Sequence, residues 1–303
     1  MASRKRIHQM TFAQWEAAFP DEAACKAYLT RNRWPSGISC PRCGNVEVKA
    51  HGTMEFNWLC NACSPSSTNY RFSVIAGTVF ENTNKPLRDW FRVVHLMLTS
   101  KKGISALQVH RMMGFGSYST AWYMCMRVRA GLANEDFRKL MGIVEVDETF
   151  VGGKDENRHW QKKNHVRGGN MDPNKFVVIG AVQRAGNVVA RVIENTKTET
   201  FENFVRQFVS IKVSILATDD ARAYISLGGD YPHHAVRHRA KNYVVGAVHT
   251  NTIEGFWSLI KRGVMGSYHK VSRKYLPLYV AEFQFRYNNR SNPNIFAAAI
   301  RGC

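Results

Sequence analysis

The sequence predicts a mixed α/β domain preceded by a small cysteine-containing module and a helical region. Three observations lead to this fold class: two C-x-x-C pairs lie near residue 50, apolar residues recur at helical spacing between residues 87 and 132, and strand-like segments alternate with helical ones from residue 142 onward. A chain of 303 residues is long enough for about two folded domains. The expected boundaries are 1–35 for N-terminal helices, 36–75 for the cysteine module, 76–140 for the helical region and 141–303 for the α/β domain.

The chain is strongly basic, with 42 Lys and Arg against 23 Asp and Glu and a net charge of +19. The excess is +10 in residues 1–140 and +9 in residues 141–303, so it is spread through folded sequence and not confined to a tail. Such a distribution favours a nucleic acid partner, because each Lys or Arg that meets a phosphate releases a condensed counterion. A basic protein without such a partner is the alternative.

The apolar pattern and the cysteines bear on localisation. No apolar run approaches the ~18–20 residues that span a bilayer, and the N-terminal residues are basic without the apolar core of a signal peptide. The cysteine set is typical of a reducing compartment. We therefore expect a cytoplasmic protein that neither spans a membrane nor is secreted.

Four of the seven cysteines form the pattern C-x2-C-x16-C-x2-C, with Cys40 and Cys43 in the first pair and Cys60 and Cys63 in the second. This spacing is typical of a structural zinc site, in which each C-x-x-C turn aims two thiolates at one ion. Alternating apolar residues between the pairs predict short strands and hence a zinc ribbon. A redox C-x-x-C pair is the alternative. His51 is not needed as a ligand, because four thiolates complete a tetrahedral shell.

The helical region contains a pair of short helices. Residues 104–114 and 117–132 predict two helices joined by a turn at Gly114, and the second helix carries Arg127 and Arg129. This pattern is compatible with a DNA-binding helix-turn-helix, although an ordinary helical spacer explains it equally well.

The α/β domain is predicted from alternating strand and helix patterns. Its strands are expected at residues 143–151, 176–182, 188–193 and 214–218, and its helices at residues 200–209, 251–261 and 275–287. The second and third strands form a hairpin at residues 185–187, whereas the charged, glycine-rich residues 154–174 form a long loop.

Three acidic residues of this domain lie where a metal-dependent reaction would need them. Asp147 lies in the first strand, Asp219 follows the fourth strand, and Glu254 falls in the opening turns of the next helix. Oxygen ligands at strand ends favour Mg²⁺ or Mn²⁺ over zinc. Two such ions can activate a water on one side of a phosphodiester and stabilise the leaving oxygen on the other. Unrelated exposed acids are the alternative.

Strand alternation places Glu145 and Asp147 on one face of the first strand and Glu148 on the other. The spacing of three nearby histidines suits neither a metal site nor a histidine-dependent nuclease, which favours a basic solvated loop for His233, His234 and His238.

Three motifs together resemble the zinc-ribbon DDE transposases of bacterial insertion sequences, a group related to the eukaryotic Merlin elements. These motifs are E-V-D-E-T-F-V-G-G-K, A-T-D-D-A-R-A-Y and H-T-N-T-I-E-G-F-W-S-L-I-K-R-G. The resemblance runs in order from about residue 20 to residue 290. It implies an RNase H-like fold whose catalytic carboxylates are Asp147, Asp219 and Glu254.

The resemblance also implies roles for neighbouring residues. Lys261 matches a basic residue that contacts the DNA end, and Asn251 is a plausible helper one turn before Glu254. Asp220 stands directly beside Asp219 and leaves the second position ambiguous, although Asp219 is preferred.

The function implied by the resemblance is DNA transposition. The ribbon, with one structural Zn²⁺, and the helical region would recognise terminal inverted repeats. Two catalytic Mg²⁺ or Mn²⁺ ions would serve end hydrolysis and the joining of the 3′-hydroxyl to target DNA. The family implies a homo-oligomer on double-stranded DNA, associated with a bacterial nucleoid. A zinc-ribbon regulator with an inactive C-terminal domain, and an RNase H-like nuclease or resolvase, are the alternatives.

Overall fold

A computed structural model describes most of the chain. The described residues are 10–63, 70–133, 138–152, 159, 161, 175–219, 222–236 and 249–303, without the side chains of residues 222, 223, 225, 226 and 236. Asp220 and most of the loop expected at 154–174 lie outside the described residues.

The described chain begins with helices, continues through a small sheet and a helical region, and ends in an α/β unit and a last helix. In chain order the elements are α1 (Phe12–Ala18), α2 (Glu22–Arg33), β1 (Val48–Ala50), β2 (Asn57–Cys60), β3 (Tyr70–Ser73), α3 (Leu87–Thr99), α4 (Ala106–Met113), α5 (Tyr118–Gly131), β4 (Ile143–Val151), β5 (Phe176–Gln183), β6 (Val188–Ile193), α6 (Thr198–Phe208), β7 (Ile215–Asp219), a 3₁₀ helix (Arg222–Gly229), β8 (His233–Val236), α7 (Asn251–Gly263), a π-helical turn (Val264–Tyr268), α8 (Leu276–Asn288) and α9 (Ile295–Gly302). None of the described helices has the length and apolar character needed to cross a membrane.

The chain divides into two compact units. One is formed by Met1–Ala133 together with Asn289–Cys303, and the other by Asn134–Asn288. Residues 289–303, which the sequence grouped with the α/β domain, therefore lie in the first unit, where α9 packs on α2 and α3.

The small sheet of the first unit is antiparallel, in the order β1-β2-β3. Trp58 of β2 faces Phe72 of β3 across the ladder, and the ring of Trp34 lies 5.3 Å from that of Trp58. These three rings give the ribbon an apolar face, which compensates for the small core that so short a sheet can form. The predicted ribbon is confirmed.

The predicted helix pair is also present, since α4 packs on α5. Gly114 ends α4 with φ of +66°, a left-handed conformation that favours glycine. Arg129 is buried, and the half-buried Arg127 donates to the main-chain oxygen of Glu81 at 3.0 Å. The two arginines therefore support the fold of the first unit, and the interpretation of them as DNA contacts is not supported.

The second unit is built on a five-stranded sheet in the order β6-β5-β4-β7-β8. The pairs β6–β5 and β5–β4 are antiparallel, whereas β4, β7 and β8 run parallel to one another. Strand β4 is therefore central, with an antiparallel partner on one side and a parallel partner on the other. Helices cover both faces, and this architecture confirms the expected mixed-sheet α/β domain.

Alternation along the strands distributes apolar side chains to two cores. Val144 and Val146 of β4 pack with α6 on one face, whereas Val178 and Val182 of β5 pack with α7 and α8 on the other. Because Asp147 alternates with Val146, it points to the face that α7 covers.

Strand β8 was not expected from the sequence. His233 and His234 pair with β7 in a parallel ladder, and His233 Nε2 lies 2.8 Å from the hydroxyl of Thr218. The prediction of a loop is therefore wrong for these two histidines, although His234 is exposed as expected, because β7 supplies main-chain partners that local sequence does not reveal. His238 lies outside the described residues.

Side-chain amides of α8 complete the edge strand β6. The Asn288 side chain accepts from Val188 N at 2.7 Å and donates to Val188 O at 3.0 Å, while Gln284 Oε1 accepts from Ala190 N at 2.9 Å. An edge strand otherwise presents unpaired main-chain groups, which are costly when buried.

We expect Asn288→Ala to lower the free energy of unfolding by about 1–3 kcal/mol, because it leaves both main-chain groups of buried Val188 unpaired. Urea denaturation would measure this change. The matched control is Asn187→Ala at the exposed hairpin turn, which should change stability by less than about 0.5 kcal/mol. Equal effects of the two substitutions would contradict the assignment.

Candidate active site and zinc site

The four cysteines predicted to bind zinc meet at one point of the ribbon. Their sulfur atoms all lie within 4.8 Å of one another, and the Sγ atoms of Cys40 and Cys63 are 3.7 Å apart. Burial alone would raise the pKa of Cys40, yet hydrogen bonds from the main-chain N–H groups of Cys43 and Arg42 lower it to about 7. An all-sulfur cluster in which one buried thiol ionises easily fits a tetrahedral zinc ion.

The candidate active site lies where β4 and β7 stop pairing. The parallel ladder joins Val146 to Thr218 and ends there, so the next residues in the same register are Asp147 and Asp219. Their carboxylates and that of Glu148 have oxygen atoms within 4.8 Å of one another. The register of two neighbouring parallel strands thus brings together two of the predicted residues.

Glu148 joins this cluster from the opposite face of the sheet. Strand alternation points it away from Asp147, toward the side of Tyr224, whose hydroxyl donates to Glu148 Oε2 at 2.8 Å. The β4–β7 ladder ends at Val146, so β7 is no longer paired with β4 beside Asp147 and Glu148. The side chains of the two faces of β4 can therefore approach each other there. Sequence reasoning missed Glu148 because period-two alternation assumes a continuous sheet.

Burial and mutual repulsion shift the pKa values of these acids. Burial, followed by the charges of Glu148 and Asp219, raises the pKa of Asp147 to about 7, and a hydrogen bond from Trp257 opposes that rise. Burial also raises the pKa of Glu148, an effect reinforced by the Asp219 charge and opposed by the Tyr224 hydroxyl. A divalent cation would offset the repulsion among the three carboxylates, two of which have a raised pKa, and their oxygen chemistry fits Mg²⁺ or Mn²⁺.

Asp147 is oriented by α7 and by a glycine on the neighbouring strand. The indole N–H of Trp257 donates to Asp147 Oδ2 at 3.0 Å. Gly180 lies opposite Asp147 across the β4–β5 ladder, and a Cβ atom there would lie 2.5 Å from the Trp257 ring. The glycine is therefore required for the indole to reach the carboxylate.

The structure places the remaining predicted residues on α7. Glu254 is exposed in the first turn, where it accepts from the Thr250 hydroxyl at 3.0 Å, and it does not belong to the three-carboxylate cluster. It lies one turn before Trp257, on the side of the helix that contacts Asp147. Asn251 is the exposed first residue of α7, and Lys261 is exposed in its last turn.

A second glutamate of β4, Glu145, makes contacts that the sequence did not predict. Its carboxylate is fully buried and accepts from the main-chain N–H groups of Thr252 and Ile253 at 2.8 and 3.1 Å. It also accepts from Arg184 Nε at 2.6 Å, and His249 Nδ1 lies 3.2 Å from it. The strand therefore connects directly to the first turn of the helix that carries Glu254.

Two family models match the chain. The ISXO2-like transposase domain matches residues 139–288, and the transposase zinc-ribbon domain matches residues 20–66. An uncharacterized protein in transposable element ISH50 of Halobacterium salinarum is 28% identical over 281 residues, covering 88% of this chain and 91% of that protein.

Two solved structures are distantly similar. A chain of the simian T-cell lymphotropic virus intasome in complex with PP2A regulatory subunit B56 gamma has a TM-score of 0.30 at 12% identity, covering 58% of this chain and 67% of that one. A chain of a pre-cleavage Mos1 transpososome has a TM-score of 0.26 at 12% identity, covering 98% and 97%.

The matched segments coincide with the two features built above from residues alone. The zinc-ribbon model includes all four clustered cysteines, and the transposase model includes the whole sheet and its three carboxylates. The chain therefore belongs to the zinc-ribbon DDE transposases of insertion sequences.

Proposed function

We propose that this transposase binds the terminal inverted repeats of its element, hydrolyses the strand at the element's end to a free 3′-hydroxyl and joins that hydroxyl to target DNA. The observation that carries the proposal is the convergence of Asp147, Glu148 and Asp219 at the end of the β4–β7 ladder. A catalytic domain needs such a set, whereas a purely DNA-binding regulator does not.

Within this proposal Asp147, Asp219 and Glu254 are the catalytic residues, and Glu148 is an additional candidate ligand. Two divalent cations held there would supply the Lewis acidity that phosphodiester transfer requires. The chain's own contribution is positional: the β4–β7 register sets the spacing of the two aspartates, and Trp257 fixes the rotamer of Asp147.

Exposed cations supply the proposed DNA contacts. In the first unit these are Arg42, Lys49, Arg71, Lys101, Lys102 and Arg111, and in the second unit Lys261, Arg262, Lys270, Arg273 and Lys274. Each phosphate contact would add to affinity through counterion release, so end binding should weaken steeply with salt. We expect a homo-oligomer, because two element ends must be held together. We also expect the reaction to take place in the cytoplasm, which is where a bacterial cell keeps its DNA.

The test is an end-joining assay with purified protein, Mg²⁺, a labelled element end taken from the DNA that flanks the gene, and a supercoiled target plasmid. The proposal predicts joined product with the wild-type chain and none with Asp219→Asn. Cleavage without joining would instead identify a nuclease. Specific end binding with neither reaction would identify a regulator, and either outcome would overturn the proposal.

We expect Gly180→Ala to lower the rate of end cleavage by about 10–100-fold, because the new Cβ displaces Trp257 from Asp147. Single-turnover end cleavage would measure the loss, with end affinity determined in parallel. The matched control is Gly186→Ala in the hairpin after the same strand, where the new Cβ meets only the flexible Gln183 side chain. Unchanged cleavage by Gly180→Ala would contradict the role assigned to Trp257.

A further inference from the structure

We propose that Glu145 is a positioning residue: its buried carboxylate holds the first turn of α7 on β4 and thereby sets where Glu254 stands relative to Asp147 and Asp219. The inference rests on the proposed function, because it assumes that Glu254 completes the metal site. It concerns a residue that touches neither the DNA nor the three-carboxylate cluster.

The N-terminus of α7 is capped by a residue of another element. Thr250, the residue before α7, makes no side-chain capping bond, and its hydroxyl donates to Glu254 instead. The first main-chain N–H groups of a helix have no partner within the helix. Two of them, on Thr252 and Ile253, donate to Glu145 Oε2, so β4 supplies the negative charge that the helix N-terminus favours.

Both carboxylate oxygens of Glu145 accept hydrogen bonds. Oε1 accepts from the Thr252 hydroxyl at 2.8 Å and from Arg184 Nε at 2.6 Å. Arg184 Nη2 also donates to the main-chain oxygen of His249, two residues before α7, at 3.0 Å. The guanidinium thus joins the carboxylate and the chain entering the helix in one network, which satisfies a charge that would otherwise be costly to bury.

This hydrogen-bond network lies close to the proposed metal site along both the strand and the helix. Glu145 precedes Asp147 by two residues on the same strand face, and Ile253 is the residue immediately before Glu254. Strand and helix are stiff over this distance. A shift of the first turn away from Glu145 would therefore move the Glu254 carboxylate away from Asp147, while the core residues further along α7 keep the helix in place.

The second unit offers a matched control. Glu282 of α8 is equally buried and accepts from the Tyr268 hydroxyl at 3.2 Å, with Arg286 Nη1 at 3.6 Å. It therefore combines a buried carboxylate, a hydroxyl donor and an arginine, and these two partners lie in the π-helical turn and in α8. Glu282→Gln should reproduce the general stability cost of altering a buried acid.

The experiment measures Mn²⁺ binding to the full zinc-loaded chain by the EPR signal of free Mn²⁺, together with hydrogen exchange of peptides from residues 249–256. Glu145→Gln retains one acceptor oxygen but turns an NH₂ group toward existing donors. We expect it to weaken Mn²⁺ binding by about 10–100-fold and to speed exchange in the first turn of α7. Thr252→Val removes only the hydroxyl donor and should cause a smaller change of the same sign. Glu282→Gln should leave both readouts unchanged even where it lowers the melting temperature.

Any one of three results would overturn the inference. In the first, both Glu145→Gln and Thr252→Val bind Mn²⁺ as tightly as the wild type. In the second, Glu282→Gln weakens Mn²⁺ binding as much as Glu145→Gln does, and in the third, Glu254→Gln leaves the Mn²⁺ affinity unchanged. If Glu145→Gln does not fold, Thr252→Val decides. The readout does not need DNA, so it separates the two proposals. A weakened Mn²⁺ site in a chain that joins no DNA would sustain the positioning role and reject the transposition chemistry. Normal joining by Glu145→Gln with unchanged Mn²⁺ affinity would support the transposition chemistry and reject the positioning role.

Discussion

Replacing Cys43 by serine is expected to release the ribbon zinc and to weaken binding of the element end by more than about 100-fold. Apparent zinc-binding free energies of small four-ligand modules are about 10–16 kcal/mol, far more than a three-stranded sheet of this size gains from its own core. Cys43 is the exposed member of the cluster, so serine removes a ligand without opening a buried cavity.

Zinc content by mass spectrometry and end affinity by fluorescence anisotropy would measure this prediction together. The control is Cys25→Ser, which changes a buried cysteine of α2 that is not part of the cluster and should retain zinc. Burial raises the pKa of Cys25 to about 12, so this thiol stays protonated and has no tendency to bind a metal. Zinc retained at full occupancy by Cys43→Ser would refute the four-thiolate site.

The sequence predicted those features that depend on local spacing or on the register of adjacent strands. The C-x-x-C pairs fold into turns that converge, because each pair fixes its own geometry and short strands join them. Asp147 and Asp219 could also be anticipated in one site, because Asp147 lies within the first strand and Asp219 at the end of a later strand of the same predicted α/β sheet. Alternation correctly put Asp147 on the same face as Glu145, and both side chains contact α7 in the structure.

The features that the sequence did not predict depend on contacts between distant segments. Glu145 and Thr252 are 107 residues apart, and nothing in either motif indicates that a strand residue caps the helix. Glu148 meets the aspartates only because the β4–β7 ladder stops at Val146, which is a property of the pairing and not of β4 alone. Strand β8 likewise forms because β7 offers an edge, although its histidines do not form a typical strand sequence.

Asp147→Asn is expected to reduce end joining by about 10³-fold or more while end affinity stays within about twofold of the wild type. The substitution keeps the shape of the side chain and one acceptor for the Trp257 N–H, but it removes the charge needed to hold a cation. Loss of joining with loss of end binding would indicate misfolding instead. Asp230→Asn, at an exposed acid paired with Arg206 on the surface, is the matched control and should join normally.

The same substitution should raise the stability of the metal-free protein at neutral and alkaline pH. The pKa of Asp147 is about 7 in the folded chain against an ordinary value of 3.8, so the folded state binds a proton that the unfolded state has lost. Stability therefore falls as pH rises from about 4 to about 7, by up to ~4 kcal/mol from this one group. Asparagine does not titrate, so Asp147→Asn should lose this part of the pH dependence and exceed the wild type most clearly near pH 8.

Adding Mg²⁺ should reverse that order. A cation that binds the ionised cluster stabilises only the folded wild type, by an amount that grows with its concentration relative to its dissociation constant. Melting temperatures at pH 8 should therefore rise with Mg²⁺ for the wild type and change little for Asp147→Asn, whereas near pH 5 the protonated wild-type site should respond weakly. A Mg²⁺ response independent of pH and of Asp147 would show that the cation binds elsewhere. Burial first, and the charges of Glu148 and Asp219 after it, raise the pKa of Asp147 and so destabilise the empty ionised site. A divalent ion would offset both effects, because it supplies the positive charge that the buried carboxylates lack.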